Sequence, residues 1–280
     1  MPTIALTVAY NGEPFAGFAR QAEDHVKTVQ GEIEQALSLL YRREVKTVCA
    51  GRTDAGVHAL GQVVSFDISE EELQAKPLRS LQRSMNALVD EAISISAAEE
   101  KAEGFSARFD AQWREYHYHI CTQSARPVLI MPLVWHLGGL SLDVDAMNQA
   151  AARFVGEHDF KSFCMAASAH IIEADGRSTC RNVMTCSVYE EVLAGTPVIT
   201  VRVVVNAFLH SIESLCGLTR ATAGRYIAQL AKDKKLRNIS IPRNPIYEPM
   251  PGFYGKEKLP EPENETENVS ATNDTDLTIK

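Results

Sequence analysis

Two apolar, strand-like runs, Val45 to Ala50 and Val63 to Ile68, close around the segment Gly51-Arg52-Thr53-Asp54-Ala55-Gly56-Val57-His58-Ala59. A chain patterned this way has to build a sheet, and that sheet has to carry one tight loop with one acid in it. Glycines on both sides of Arg52-Thr53-Asp54 let the backbone make the excursion. The Asp54 carboxylate is thereby presented between two fixed elements, beside an arginine.

The rest of the chain alternates helix and strand patterns. Thr3 to Tyr10 alternates as a strand and ends in the turn signal Asn11-Gly12. Thr28 is placed to cap a helix whose apolar face is Val29, Ile33, Ala36, Leu37 and Leu40, with Glu32 and Glu34 near its positive end. Pro77 opens a helix to about Leu88, and strands follow near Ala92 to Ala98 and Trp113 to Cys121. In the second half Val134 to Leu137 reads as a strand. Asp143 to Val155 reads as an amphipathic helix that Gly156 ends. Arg181 to Glu190 and Pro197 to Asn206 form an antiparallel hairpin about Gly195, and a helix is expected from about Leu209 to Ala231. The pattern predicts an α+β fold of two pseudo-symmetric lobes, 1–105 and 106–250, followed by an acidic, disordered tail over 251–280. No exact internal repeat is visible.

Composition limits the setting. No apolar run approaches the eighteen or so residues of a membrane helix, and Met1-Pro2-Thr3-Ile4 lacks the pattern of a signal peptide. The six cysteines contain no CxxC pair, so neither a zinc site nor a disulfide framework is expected, and a cytoplasmic setting fits. The net charge of −8 argues against a nucleic-acid partner until its distribution is considered. From Pro260 to Lys280 the tail holds −5 of it, so the body carries only about −3, which leaves room for a local basic cleft.

From spacing alone Asp54 can be a nucleophile, a general base, or the salt-bridge partner of Arg52 that orders a turn. Asp54 and His58 also stand four apart, but two ligands without a third do not make a metal site.

The segment Ala50 to Ala59, with Gly61-Gln62-Val63-Val64 after it, resembles the active-site motif of the TruA family of tRNA pseudouridine synthases. Colinear support comes from Tyr10-Asn11-Gly12, Phe15-Ala16-Gly17-Phe18, Phe105-Ser106-Ala107-Arg108-Phe109, Arg114-Glu115-Tyr116-His117-Tyr118, Gly156-Glu157-His158-Asp159-Phe160-Lys161-Ser162-Phe163, Arg181-Asn182-Val183 and Asn206-Ala207-Phe208-Leu209-His210. The resemblance implies the pseudouridine synthase fold with a mainly antiparallel sheet and flanking helices. It also implies a cofactor-free and metal-free isomerase, an intramolecular transferase, acting on uridines 38–40 of the tRNA anticodon stem-loop, and a homodimer whose tRNA lies across both subunits.

Residue by residue, the resemblance makes Asp54 the catalytic aspartate and Tyr116 the ring that stacks beside the target base. Arg52 is implied to help the flipped nucleotide into the site. Arg108, Arg114, Arg126, Arg177 and Arg181 are candidate phosphate contacts.

The chain departs from the family pattern in three places. Where the family has an arginine that pairs with the aspartate, this chain has Ser214 or, with a one-residue gap, Glu213. Losing that cation would raise the Asp54 pKa and loosen its orientation, and Arg220 lies some two turns later. Phe18-Ala19-Arg20-Gln21 stands in place of a Gly-Trp-Gln motif, and Glu115 replaces a basic residue. Beyond about residue 235 a closing strand is hard to find, because Pro242, Pro245, Pro249 and Pro251 interrupt the pattern. An inactive paralogue that binds and remodels tRNA is therefore a second reading, and an unrelated acidic-site hydrolase a third.

Overall fold

The computed structural model describes residues 1–23, 25–163, 172, 174, 176, 178–207 and 246–248. The expected helix from Leu209 to Ala231, Arg177, Glu213, Ser214, Arg220 and the acidic tail lie outside the described residues.

The alternating N-terminal run forms β1 (Thr3–Tyr10). The Thr28 hydroxyl then accepts from the Gly31 N–H and starts α1 (Val29–Tyr41), a cap of about 1 kcal/mol. The apolar face of α1 buries Val29, Ile33, Ala36 and Leu37 against the sheet. The strand expected over Val45 to Ala50 pairs only at β2 (Val48–Cys49), while β3 (His58–Asp67) begins five residues earlier than its apolar run. A reciprocal capping box between Ser69 and Glu72 starts α2 (Glu70–Ala75), which was not expected. Pro77 precedes α3 (Leu78–Leu88), and β4 (Ile93–Lys101) completes the first half.

The second half contains β5 (Arg114–Cys121), β6 (Val134–His136), α4 (Val144–Ala152), β7 (Gly156–Asp159), β8 (Cys180–Leu193), β9 (Thr196–Val205) and β10 (Ile246–Glu248). The β8–β9 hairpin turns at Ala194 and Gly195, both at positive φ, as a two-residue loop of this hand requires. Gly156 does not end α4. The helix stops at Ala152, and Gly156, at φ 109, opens β7.

One sheet runs through both halves in the order β4-β1-β3-β10-β5-β9-β8-β7, with β2 beside β3 and β6 beside β5. The closing strand that prolines appeared to forbid is β10. It comprises the three residues that stand between Pro245 and Pro249 in the sequence and pairs parallel to β3 and antiparallel to β5. It is therefore the seam between the two halves. The main core combines Ile4, Leu6, Leu37, Phe66, Leu81 and Met85 of the first half with Trp113, Tyr116 and Val204 of the second. Ile120, Trp135, Val188 and Ile199 form a smaller core under α4.

Candidate active site

Asp54 sits at the first position of a turn closed by the Val57 N–H on the Asp54 carbonyl at 3.2 Å, with Gly56 at φ 75 supplying the conformation a side chain resists. β3 begins at the next residue. The side chains of Asp54 and Arg52 both stand exposed, and neither joins an ion pair among the described residues, so the turn is ordered by backbone contacts instead of by a salt bridge between them.

Those contacts come from the 11–18 loop. The Phe18 N–H donates to the Thr53 carbonyl at 3.0 Å, and the Gly12 N–H donates to His58 Nδ1 at 3.3 Å. A Cβ on Gly12 would fall 2.1 Å from the Val57 carbonyl oxygen, and one on Gly17 would fall 3.2 Å from that of Thr53. Two glycines thus let one loop press directly on the backbone of the other. Phe18, where the family pattern differs, is fully buried and packs against the Tyr10 ring at 5.8 Å. The Tyr10 hydroxyl in turn bonds Thr53 Oγ1 at 2.7 Å. Gln62, fully buried on β3, donates to the Gly51 carbonyl at 2.7 Å. Tyr10, Gly12, Thr53 and Gln62 all lie in motif segments, but their contacts with the loop are seen only in the fold; a glutamine inside an otherwise apolar strand was the available signal. His58 is no metal partner of Asp54, because it is buried against Gly12 while the carboxylate faces out.

Tyr116 comes to the loop from β5. Its hydroxyl lies 3.7 Å from where a Cβ on Gly51 would be, so the glycine permits the approach. Burial pushes the Tyr116 phenol up, and the Tyr10 phenol and the Asp54 carboxylate push the same way against Arg114. The ring therefore stays neutral, buried beside the loop.

The arginines divide. Arg52 and Arg108 are exposed; burial raises the Cys49 thiol, and Arg52, Arg108 and Arg114 each oppose that shift. Arg114 is buried, however. Its Nε and Nη2 donate to the Ala50 carbonyl at 3.0 and 2.6 Å, Nη1 to Asn206 at 2.6 Å and Ala111 at 3.5 Å, and Nη2 also to Arg108 at 3.0 Å. The guanidinium is distributed over four carbonyls and ties the strand before the Asp54 loop to the end of β9. Arg126 is exposed on a separate loop, and Arg181 on β8 donates to the Ser178 and Cys180 carbonyls. The Asn182 N–H donates to Asn206 Oδ1, which brings two distant motif segments together.

Glu115, the acid in a basic position, is compensated across the sheet. Arg202 on β9 donates to it at 2.6 and 3.2 Å, and His117 Nε2 lies 2.7 Å away. Burial alone would raise the Glu115 carboxyl, but His117 and Arg202 outweigh it and hold it below its ordinary value.

Burial moves His119 from 6.5 to about 4, with Glu191 opposing the shift. The folded protein therefore keeps this ring neutral while the unfolded chain protonates near 6.5. The associated stability is present above that pH and is lost progressively as pH falls toward about 4, by about 3 kcal/mol at most. Urea unfolding in metal-free buffer at pH 7 and pH 5 is expected to show a smaller pH dependence in His119→Gln than in wild type. An unchanged dependence would refute it.

A family model described as tRNA pseudouridine synthase matches residues 6–110 and 150–248. The tRNA pseudouridine synthase A of Streptomyces avermitilis is 39% identical over 220 residues, 76% of this chain and 72% of the relative. That of Shewanella frigidimarina is 36% identical over 207 residues, 74% of this chain and 73% of the relative. That of Bartonella quintana is 34% identical over 254 residues, 88% of this chain and 98% of the relative.

Proposed function

Since the chain belongs to the tRNA pseudouridine synthase family, we propose that it isomerises uridine to pseudouridine at positions 38–40 of the tRNA anticodon stem-loop, with Asp54 starting the reaction. The observation that carries this reading is the exposed Asp54 carboxylate, presented on a turn that backbone contacts hold, in the loop whose Gly51 the buried Tyr116 hydroxyl approaches.

The target base leaves its stack and enters beside Tyr116, whose neutral ring stacks on it. Asp54 then labilises the bond between N1 and C1′ by one of three routes. It attacks C1′ and expels the uracil anion, it attacks C6, or it takes the C2′ proton to give a glycal. The base turns and C5 bonds to C1′ as the bond to Asp54 breaks or, on the glycal route, as the C2′ proton returns; the C5 proton then leaves and N1 takes up a proton, so the reaction balances as an isomerisation without a cofactor. Arg52 helps the flipped nucleotide into the site, and Arg108 holds a flanking phosphate, with Arg126, Arg177 and Arg181 serving more distant ones. The protein works in the cytoplasm as a homodimer, each subunit comprising lobes that meet near residue 105 and an acidic tail from 251.

Base-resolution mapping of pseudouridine in anticodon-arm transcripts, with purified protein and no added metal, tests this reading. Conversion at positions 38–40 supports it. Binding without conversion favours the remodelling protein that the missing arginine at Ser214 or Glu213 suggests.

Tyr116 supplies a further expectation. Tyr116→Phe keeps the stacking face and should retain most of the single-turnover rate, whereas Tyr116→Ala should lose about 10–100-fold, the worth of one base–aromatic stack. Equal losses in both would assign the effect to the hydroxyl and reject stacking as the role.

A further inference from the structure

The face of β5 turned away from Tyr116 carries His117 and His119, because alternate residues on a strand share a side. Both are buried. β9 lies next to β5, pairing Arg202 with His117 and Thr200 with His119, and β8 lies beyond it. From β8 the Glu191 carboxylate reaches back over β9, accepting the Thr200 hydroxyl proton and standing 3.5 Å from His119 Nδ1. One nitrogen of each ring and one Glu191 oxygen all lie within 4.8 Å of one another.

We propose that His117, His119 and Glu191 bind a single divalent transition-metal ion, with zinc as the best match, on the side of the sheet opposite the reaction. The donor set of two imidazoles and a carboxylate is one that zinc accepts, with water as a fourth ligand. Tetrahedral bonds of about 2.0–2.1 Å place ligand atoms about 3.3 Å apart. The His119 to Glu191 edge already has nearly that length, and the remaining edges close by side-chain rotation.

The surroundings match a metal site as well. His117 Nε2 is held by Glu115, itself anchored by Arg202, which sets the ring as carboxylates set metal-bound histidines. Thr200 donates to Glu191 and accepts from His119 Nδ1 at 2.7 Å, so it positions Glu191, while ligation through Nδ1 releases that ring proton and replaces the Thr200 contact. Ligation exchanges part of this hydrogen bonding for bonds to the ion. Glu191 is about a third exposed (31%), and water and metal reach the cluster from that side.

The ion takes no step in the isomerisation. It clamps β5 to β8 across β9, and a ligand that binds only the folded state stabilises it in proportion to the logarithm of its concentration.

The test uses the full chain, stripped with a chelator, desalted and titrated with zinc sulfate, followed by calorimetry, metal content and thermal melting. One zinc per chain is expected, with Tm rising as zinc increases and pseudouridine formation unchanged by stripping. His119→Gln and Glu191→Gln should each weaken zinc binding by at least about 10-fold and remove the Tm rise, with Glu191→Gln the milder change because its site is partly open. Wild type that binds no zinc overturns the proposal. So does zinc bound equally tightly by both variants, which would place it on the cysteines. Loss of isomerisation on stripping, restored by zinc, overturns the separation of the ion from the reaction.

Discussion

Asp54→Asn is expected to lower pseudouridine formation by at least about 10³-fold while leaving tRNA affinity and thermal stability unchanged. The substitution keeps the size of the side chain and removes its charge and nucleophilic oxygen. The turn does not depend on that oxygen, since Gly56, the Val57 N–H, Phe18 and Gly12 hold it through the backbone. The side chain is exposed and unpaired with any described cation, so its loss should alter stability by no more than about 0.5 kcal/mol. Single-turnover mapping, a binding isotherm and a melting curve give the three readouts. Retained turnover in Asp54→Asn would move the chemistry to another group. A lowered Tm together with lost binding would mean that the carboxylate organises the loop.

The same turn shows how far the residues announced the structure. Local features were legible wherever the forces are local. Thr28 caps α1, Pro77 precedes α3, and Ala194-Gly195 turns the β8–β9 hairpin, each through contacts spanning a few residues. The glycines of the motif likewise marked the Asp54 turn, where Gly56 takes a positive φ. What escaped depended on distant partners. β10 has three residues between prolines and no periodicity to detect, and it exists as a strand because β3 and β5 leave a gap of one strand's width. Gly156 carries a positive φ, which suits a helix end and a strand start equally, and only the ladder to β8 decides between them. Glu115 looked like a misplaced charge because Arg202 stands 87 residues away in the chain.

Arg114→Ala is expected to cost about 3–5 kcal/mol of stability, since it leaves the buried Ala50 carbonyl and the part-buried Asn206 carbonyl without their charged donor. For a chain of this size that is roughly an 8–15 °C fall in Tm. Activity should fall with it, because Ala50 leads into the Asp54 loop and Asn206 ends β9, and the guanidinium is what holds them together. Arg114→Lys should recover little, as one ammonium cannot span four carbonyls. Arg108→Ala makes the contrast. Its side chain is exposed and lies only over the equally exposed Phe109 ring, while its carbonyl serves the fold, so Tm should hold while tRNA binding weakens and the salt dependence of log K drops by about 1. If Arg114→Ala instead melted like wild type and lost that unit of salt dependence, Arg114 would be a phosphate contact, and the position of the Asp54 loop would have to rest on Gln62, Phe18 and Gly12 alone.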